Sequence, residues 1–174
     1  MQLNEAITLI NHSGVSTGKS ATWADLGCGT GLFSKALANL LPPASHIFAL
    51  DTDQKALRNI ADYNGVSIEP VCQDFVTSEW PFATLDGLLM ANSLHYVADK
   101  PTFLQKADRY LSEKGCFLLV EYDMDVPNPW VPYPLSYVTL TKLFMEAGYS
   151  TIEKIHQMPS RFGRANLFGV FISR

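Results

Sequence analysis

Three acidic residues and a cluster of glycines carry most of the chemistry that this sequence could perform. Asp25 precedes the glycine-rich residues 27–31, and Asp51 and Asp74 follow further along the chain. Closely spaced glycines let a backbone approach a ligand where side chains would block it. Carboxylates accept hydrogen bonds from hydroxyl and amino groups. These residue types together predict a site for a cofactor that contains a nucleoside.

The spacing of the glycines indicates which class of cofactor the loop could bind. Residues 27–31 read G-x-G-x-G, whereas a dinucleotide fingerprint requires G-x-G-x-x-G. Leu32 stands where that fingerprint needs its last glycine. A nicotinamide-dependent oxidoreductase is therefore disfavoured, and the simplest alternative without a ligand is an ordinary glycine-rich turn between a strand and a helix.

Apolar patterning predicts the elements that position these residues. Strands are expected at residues 21–24, 46–50, 66–73, 85–91, 116–121, 151–158 and 166–172. Helices are expected at residues 32–41, from Asp53 as a cap to Gly65, at residues 99–111, and from Ser136 to near Gly148. Alternating strands and helices imply a parallel sheet with right-handed crossovers, and the closing strand–turn–strand pair implies one antiparallel strand.

Ligands of such sheets bind beyond the carboxyl ends of the strands. Asp51 follows the second predicted strand and is placed to hold ribose hydroxyls, or to cap a helix, although Asp53 suits that role better. Asp74 follows the third strand and suits an adenine amine, or is a solvated loop residue. Phe75 beside it could cover a ring edge.

This order of strand ends resembles the class I S-adenosylmethionine-dependent methyltransferases over about residues 21–174. The resemblance implies an α/β fold with a Rossmann-like, doubly wound, seven-stranded sheet, mostly parallel with an antiparallel last strand. It implies S-adenosylmethionine as cofactor and S-adenosylhomocysteine as product, with residues around the glycines near methionine, Asp51 on ribose, Asp74 on adenine, and Asn92 and Ser93 beside the sulfonium. The cofactor-binding residues predicted in this way are Asp25, Gly27, Cys28, Gly29, Thr30, Gly31, Asp51, Thr52, Asp74, Phe75, Asn92 and Ser93.

Methyl transfer requires few catalytic groups from the protein, because the sulfonium is already activated and positioning of the reactants supplies much of the rate enhancement. A base is needed only where the acceptor holds its proton tightly. His95, just after the fourth strand, is the candidate catalytic base, and its alternative role is packing beside the adenosine. Asn92 is followed by neither Pro-Pro nor Pro-Cys, which disfavours methylation of base amines, of glutamine and of cytosine C5.

The acceptor site is expected in two loops on the same side of the sheet. Residues 122–134 carry Trp130 and Tyr133, and the last turn carries Arg161 and Arg164. Aromatic walls with a cationic rim suit a planar or acyl substrate with a carboxylate or phosphate. The alternative is a solvated turn whose arginines pair with surface carboxylates such as Glu121 or Asp123.

Composition fits one domain spanning residues 1–174, and the cysteine pattern favours neither a disulfide framework nor a zinc site. The chain has 174 residues, 47% hydrophobic and 17% charged, with a net charge of -4 and no cluster of Lys or Arg that would favour nucleic acid.

No signal peptide or membrane-spanning run is evident, so a cytoplasmic protein is expected. Residues 1–20 are predicted to hold a short helix that either caps the site or docks on the core. The sequence thus predicts a methyltransferase for a small molecule, without metal, with a cofactor-binding protein lacking transferase activity as the alternative; it leaves the oligomeric state open.

Overall fold

The structure is a computed structural model that describes residues 1–16, 18–160 and 165–174. Within these residues, seven strands form one sheet in the order β3-β2-β1-β4-β5-β7-β6. Neighbouring strands are parallel except for β7, which is antiparallel to both β5 and β6. The predicted fold class is therefore confirmed. The strands are β1 Thr22–Leu26, β2 His46–Asp51, β3 Ser67–Cys72, β4 Leu85–Ala91, β5 Leu111–Tyr122, β6 Thr151–Pro159 and β7 Asn166–Ser173.

Side chains near the helix starts define several of the helix boundaries. Asp53 and Ser136 accept hydrogen bonds from backbone N–H groups of the following turns, as their sequence context predicted, and Asp99 does the same. In the part of the chain that the structure describes, no helix is long and apolar enough to cross a membrane. The helices are α1 Leu3–Ile10, α2 Leu32–Ala38, α3 Gln54–Leu57, α4 Lys100–Asp108 and α5 Tyr137–Glu146.

The sheet is covered on both faces, which explains the nearly continuous apolar runs of its central strands. In β4, Leu88 and Leu89 are both fully buried, and they belong to separate apolar clusters. Trp23 of β1 pairs with Gly87 of β4, and a Cβ added at Gly87 would lie 2.4 Å from the Trp23 ring. The indole therefore occupies the space that a side chain at residue 87 would need.

Helix α1 docks on the antiparallel part of the sheet. Ala6, Leu9 and Ile10 are fully buried, and a Cβ added at Gly169 of β7 would lie 1.8 Å from the carbonyl oxygen of Leu9. The helix backbone thus rests directly on the backbone of β7. The core-docking role proposed for this segment is therefore present, and the role of residues 1–20 as a cap over the site stays a prediction.

Several element boundaries differ from the sequence-based prediction by up to three residues, and two differ by more. Helix α3 ends at Leu57 instead of running to Gly65. In the segment after the helix, the Asp62 carboxylate accepts a hydrogen bond from Ile68 N of β3. Strand β5 begins at Leu111, which the sequence placed in a helix, because Leu111 pairs with Leu85 of β4 and is buried there. The start of β5 depends on a tertiary contact that local periodicity does not contain, whereas the hydrogen bond between Asp62 and Ile68 is local.

Candidate active site

The glycine-rich loop after β1 forms an open backbone surface. Gly27, Gly29 and Gly31 all have positive φ angles, of 79°, 53° and 81°, which L side chains adopt only at a cost. A Cβ at Gly27 would lie 2.6 Å from Cβ of Ser93, whereas nothing lies within 4 Å of a Cβ at Gly29. The loop is therefore packed on one side at Gly27 and open on the other at Gly29, where a ligand can approach the backbone.

Asp25 places an unpaired acceptor under this loop. Its side chain is fully buried, Ser34 Oγ donates to Oδ2 at 2.6 Å, and Oδ1 has no hydrogen-bond partner among the described residues. Burial raises the pKa of Asp25 to about 7, although the bond from Ser34 acts to lower it. A buried carboxylate oxygen without a partner costs free energy in the ligand-free protein, which fits a site that is completed by a cationic ligand.

Asp51 connects the glycine loop to the end of β2. Its Oδ2 accepts a hydrogen bond from Gly29 N at 2.8 Å, and its Oδ1 accepts one from Asp53 N at 2.9 Å. Asp53, not Asp51, is the N-cap of α3. The helix-cap alternative for Asp51 is therefore wrong, and this half-buried carboxylate retains free lone pairs at the edge of the loop. Thr52 beside it is exposed.

Asp74 stabilises its own turn. One oxygen accepts from Val76 N at 2.8 Å and the other from Thr77 Oγ1 at 2.9 Å. Partial burial acts to raise the pKa of Asp74, but these hydrogen bonds outweigh it and hold the pKa below its usual value. Phe75 is buried and packs against Phe103 at a centroid distance of 5.9 Å. Contact of Asp74 with adenine stays a prediction, as does contact of Phe75 with a ring edge.

Asn92 and Ser93 lie between the glycine loop and a neighbouring cavity. Ser93 Oγ donates a hydrogen bond to the carbonyl of Leu26, immediately before the glycines. Asn92 has a φ of 55°, a value that asparagine tolerates better than most residues. Its Oδ1 is buried without a hydrogen-bond partner in the described part of the chain. This second orphaned acceptor lies at the junction of the two regions.

This cavity, called the aromatic cavity below, has a volume of about 1050 Å³, and Tyr96, Tyr122 and Trp130 form part of its wall. Trp130 lies on its wall with 80% of its surface exposed. Tyr133 does not line it; instead its backbone N–H donates to the carbonyl of His95, and its own carbonyl accepts from Lys100 Nζ. Arg161 and Arg164 lie outside the described residues. The described residues that line the cavity are Asn92, His95, Tyr96, Tyr122, Asp123, Met124, Asn128, Trp130, Val131 and Ala165.

His95 and Glu121 form a buried pair at the wall of this cavity. His95 Nδ1 and Glu121 Oε2 lie 2.6 Å apart, and both side chains are at most 3% exposed. Glu121 Oε1 also accepts a hydrogen bond from the backbone N–H of His95 at 3.1 Å. The interpretation of Glu121 as a surface carboxylate is therefore wrong. The signal that identifies it in the sequence is the one used for Asp51: a carboxylate directly after a buried strand run.

The thiol of Cys28, inside the glycine loop, is a poor nucleophile. Burial, followed by the nearby charges of Asp25 and Asp51, raises the pKa of the Cys28 thiol far above its usual value. Thr30, two residues further along, is exposed. No group of three or more His, Cys, Asp or Glu residues in residues 1–16, 18–160 and 165–174 could hold a metal ion. The groups at the site that could bind a ligand are therefore the carboxylates, amides and backbone groups at the strand ends.

The seven-stranded sheet has the fold of the class I S-adenosylmethionine-dependent methyltransferases. The family model of the methyltransferase domain matches residues 24–115, just over half of the chain, so the chain belongs to this family. The resemblance inferred from the sequence is thereby confirmed, and so is the cofactor class.

Individual relatives agree with this assignment. An uncharacterized methyltransferase of Mycobacterium tuberculosis is 28% identical over 99 residues, covering 56% of this chain and 49% of the relative. The chain spans about half the length of the curated relatives it matches. The solved structure of a methyltransferase from Leishmania major, described as S-adenosylmethionine-dependent, covers 97% of this chain and is itself covered to 71%, at 16% identity with a TM-score of 0.70. Magnesium protoporphyrin IX methyltransferase of Synechocystis, solved with S-adenosylmethionine bound, covers 99% of this chain and is covered to 78%, at 13% identity with a TM-score of 0.68. At these identities the solved structures establish the fold.

Proposed function

We propose that this protein transfers a methyl group from S-adenosylmethionine to a small organic acceptor bound in the aromatic cavity. The observation that carries the proposal is the placement of Asn92 and Ser93. Ser93 packs on Gly27 of the glycine loop, while its neighbour Asn92 lines the cavity. The two compartments therefore meet at adjacent residues, as transfer between two bound molecules requires.

The residues at the strand ends fit the cofactor chemically. S-adenosylmethionine supplies a methyl group on a sulfonium that needs no further activation. Asp51 has lone pairs for ribose hydroxyls, and the glycine loop offers open backbone at Gly29. The orphaned oxygens of Asp25 and Asn92 offer acceptors for cationic or N–H groups. Asp74 is proposed for the adenine amine through lone pairs not used in its turn.

The cavity favours a small molecule over a macromolecule as acceptor. Its volume of about 1050 Å³ lies just above the range of roughly 300–1,000 Å³ that is typical of small-molecule sites. A structural neighbour is named for a planar macrocycle, magnesium protoporphyrin IX, which supports this kind of acceptor. The net charge of -4 gives no support to a nucleic-acid substrate. An anionic substrate held by Arg161 and Arg164 stays part of the proposal without support from the described residues.

Two measurements test the function. Calorimetric titration should detect binding of S-adenosylmethionine and S-adenosylhomocysteine and none of NAD. A panel of small aromatic acceptors with a labelled methyl donor should then yield labelled product. Tight NAD binding alone would overturn the cofactor, whereas cofactor binding without transfer to any acceptor would favour the alternative of a cofactor-binding protein that lacks transferase activity.

A further inference from the structure

The buried pair of His95 and Glu121 has a geometry that fixes the histidine ring. Glu121 engages one residue at two points, with Oε1 on the backbone N–H of His95 and Oε2 on its ring Nδ1. Both side chains are almost completely removed from solvent. A carboxylate held at two points on one residue prevents rotation of the imidazole about its own axis. The pair therefore presents a single ring orientation toward the cavity.

This arrangement also selects the tautomer of the imidazole. An ionised carboxylate only accepts hydrogen bonds, so Nδ1 of a neutral His95 must carry the hydrogen. Nε2 then carries a lone pair. Among the described residues Nε2 has no hydrogen-bond partner, and the ring belongs to the cavity wall. The free lone pair is therefore available to a group bound in the cavity.

We propose that Glu121 is a positioning residue that makes His95 Nε2 the proton acceptor for a hydroxyl group, so that the acceptor is a planar aromatic hydroxyl compound. This inference rests on the proposed function and specifies its substrate class. A hydroxyl holds its proton tightly enough at neutral pH to benefit from a base, whereas a neutral amine attacks with a free lone pair. The rings of Tyr96, Tyr122 and Trp130 line the same cavity and suit a flat aromatic ligand.

The step balances without any other reactant. The acceptor oxygen forms a bond to the methyl carbon as the bond from that carbon to sulfur breaks with its electron pair left on sulfur. The hydroxyl proton goes to Nε2 of His95, and the imidazolium is stabilised by the Glu121 carboxylate. After the methyl ether leaves, water takes the proton from Nε2 and restores the neutral ring.

Other polar side chains lie near the pair. Lys100 Nζ donates to the carbonyls of Val97 and Tyr133, and burial lowers its pKa while the charge of Glu121 acts against that change. The rings of Tyr96 and Tyr122 lie 4.5 and 6.1 Å from the imidazole. Asp123 lines the cavity. Among the described residues, none of these groups forms a hydrogen bond to the His95 ring, so Glu121 is its direct partner.

The substitution Glu121→Gln tests the tautomer. A carboxamide has one acceptor oxygen and one NH₂ group, but the backbone N–H and ring Nδ1–H of His95 require two acceptors. The backbone N–H cannot lose its hydrogen, so it keeps the oxygen and the NH₂ faces Nδ1. The imidazole hydrogen must then move to Nε2, which turns the base into a donor. We expect kcat to fall by about 100- to 10,000-fold, with cofactor affinity unchanged.

Nitrogen NMR of the protein labelled at its histidines reads the tautomer directly. The chain has four histidines, so assignment by substitution is practical. Wild-type His95 should be protonated at Nδ1, and E121Q should move the hydrogen to Nε2. Glu69→Gln is the matched control, because Glu69 pairs with His46 at 3.2 Å in a partly exposed pair outside the site. E69Q should change the His46 signals and leave His95 and methyl transfer as in wild type. A wild-type His95 protonated at Nε2 would overturn the inference without any variant having to fold.

Acceptor pairs that differ only in a hydroxyl or an amino group on the same planar ring separate this inference from the proposed function. Transfer to the hydroxyl members, lost in E121Q without loss of S-adenosylhomocysteine binding, supports both. Transfer to the amino members alone, or an E121Q variant as active as wild type on hydroxyl members, overturns the role of the pair and leaves the proposed function standing. Transfer to no small acceptor by a protein that binds the cofactor overturns the proposed function and the substrate class with it.

Discussion

Replacing Asp51 with alanine should weaken cofactor binding far more than it weakens the fold. The carboxylate offers about four lone-pair positions, of which Gly29 N and Asp53 N use two. The other two are free for ribose hydroxyls. A hydrogen bond to a charged group contributes about 1.5–3 kcal/mol, so two such bonds correspond to about 3–6 kcal/mol. We therefore expect the Kd for S-adenosylhomocysteine to rise by at least about 100-fold.

The loss of protein stability should be smaller. Asp51 accepts hydrogen bonds from two backbone N–H groups, which lie near the surface and can bond to water in the variant. We therefore expect the free energy of unfolding to fall by about 1–3 kcal/mol. Asp53→Ala is the matched control, because it removes a nearby carboxylate that only caps α3 and should cost about 1 kcal/mol of stability. Calorimetry and urea denaturation of both variants give the two quantities. An Asp51→Ala protein that keeps its fold and binds within twofold of wild type would refute the assignment of Asp51 to ribose.

Three further substitutions, one of them with a matched control, probe the loop, the cavity and the buried acid. Gly27→Ala should cost about 3 kcal/mol of stability by urea denaturation, because its φ is positive and the new Cβ meets Ser93, whereas Gly148→Ala, with a φ of 90° and open space, should cost about 1 kcal/mol. Trp130→Ala should change the free energy of unfolding by less than about 0.5 kcal/mol, since the residue is 80% exposed, but should raise the acceptor KM several-fold in steady-state assays. Burial raises the pKa of Asp25 from 3.8 to about 7, so the folded state binds this proton more tightly than the unfolded state, and ionisation should reduce stability progressively as pH rises from about 4 to about 7. Asp25→Asn removes that penalty, which amounts to as much as about 4 kcal/mol. Urea denaturation near pH 4 and near pH 7 should therefore show that the stability of the variant relative to wild type rises with pH. A stability difference that does not change with pH would contradict the buried-acid argument.

The strand ends are the part of the site that the sequence predicted best. Apolar runs locate the strands, and a parallel sheet places their carboxyl ends on one edge, so the pattern of residues alone predicts that Asp51 lies near the glycine loop. The hydrogen bond from Gly29 N to Asp51 reflects that adjacency. The local role of Asp53 as a helix cap was equally predictable, because capping depends only on the next three residues.

The pairing of His95 with Glu121 required knowledge that the sequence alone did not supply. The two residues come together because β4 and β5 are neighbours and Ala91 pairs with Val120, which brings the ends of both strands level. The position of Glu121 directly after an apolar run marks it as a residue at a strand end, but a carboxylate is by default exposed, and the local sequence does not name His95 as its buried partner. The early start of β5 at Leu111 has the same origin, since its partner Leu85 is distant in sequence.

The contact of α1 with Gly169 has a consequence for the order of folding. Leu9 lies near the start of the chain and Gly169 near its end, so their contact closes almost the whole chain into one loop. Contacts between segments that are distant in sequence form slowly, because loop closure must precede the interactions that stabilise it. The pairing of β1 with β2 closes a much shorter stretch of chain. We therefore expect amide protons in β1 and β2 to gain protection during refolding before the contact between α1 and β7 forms.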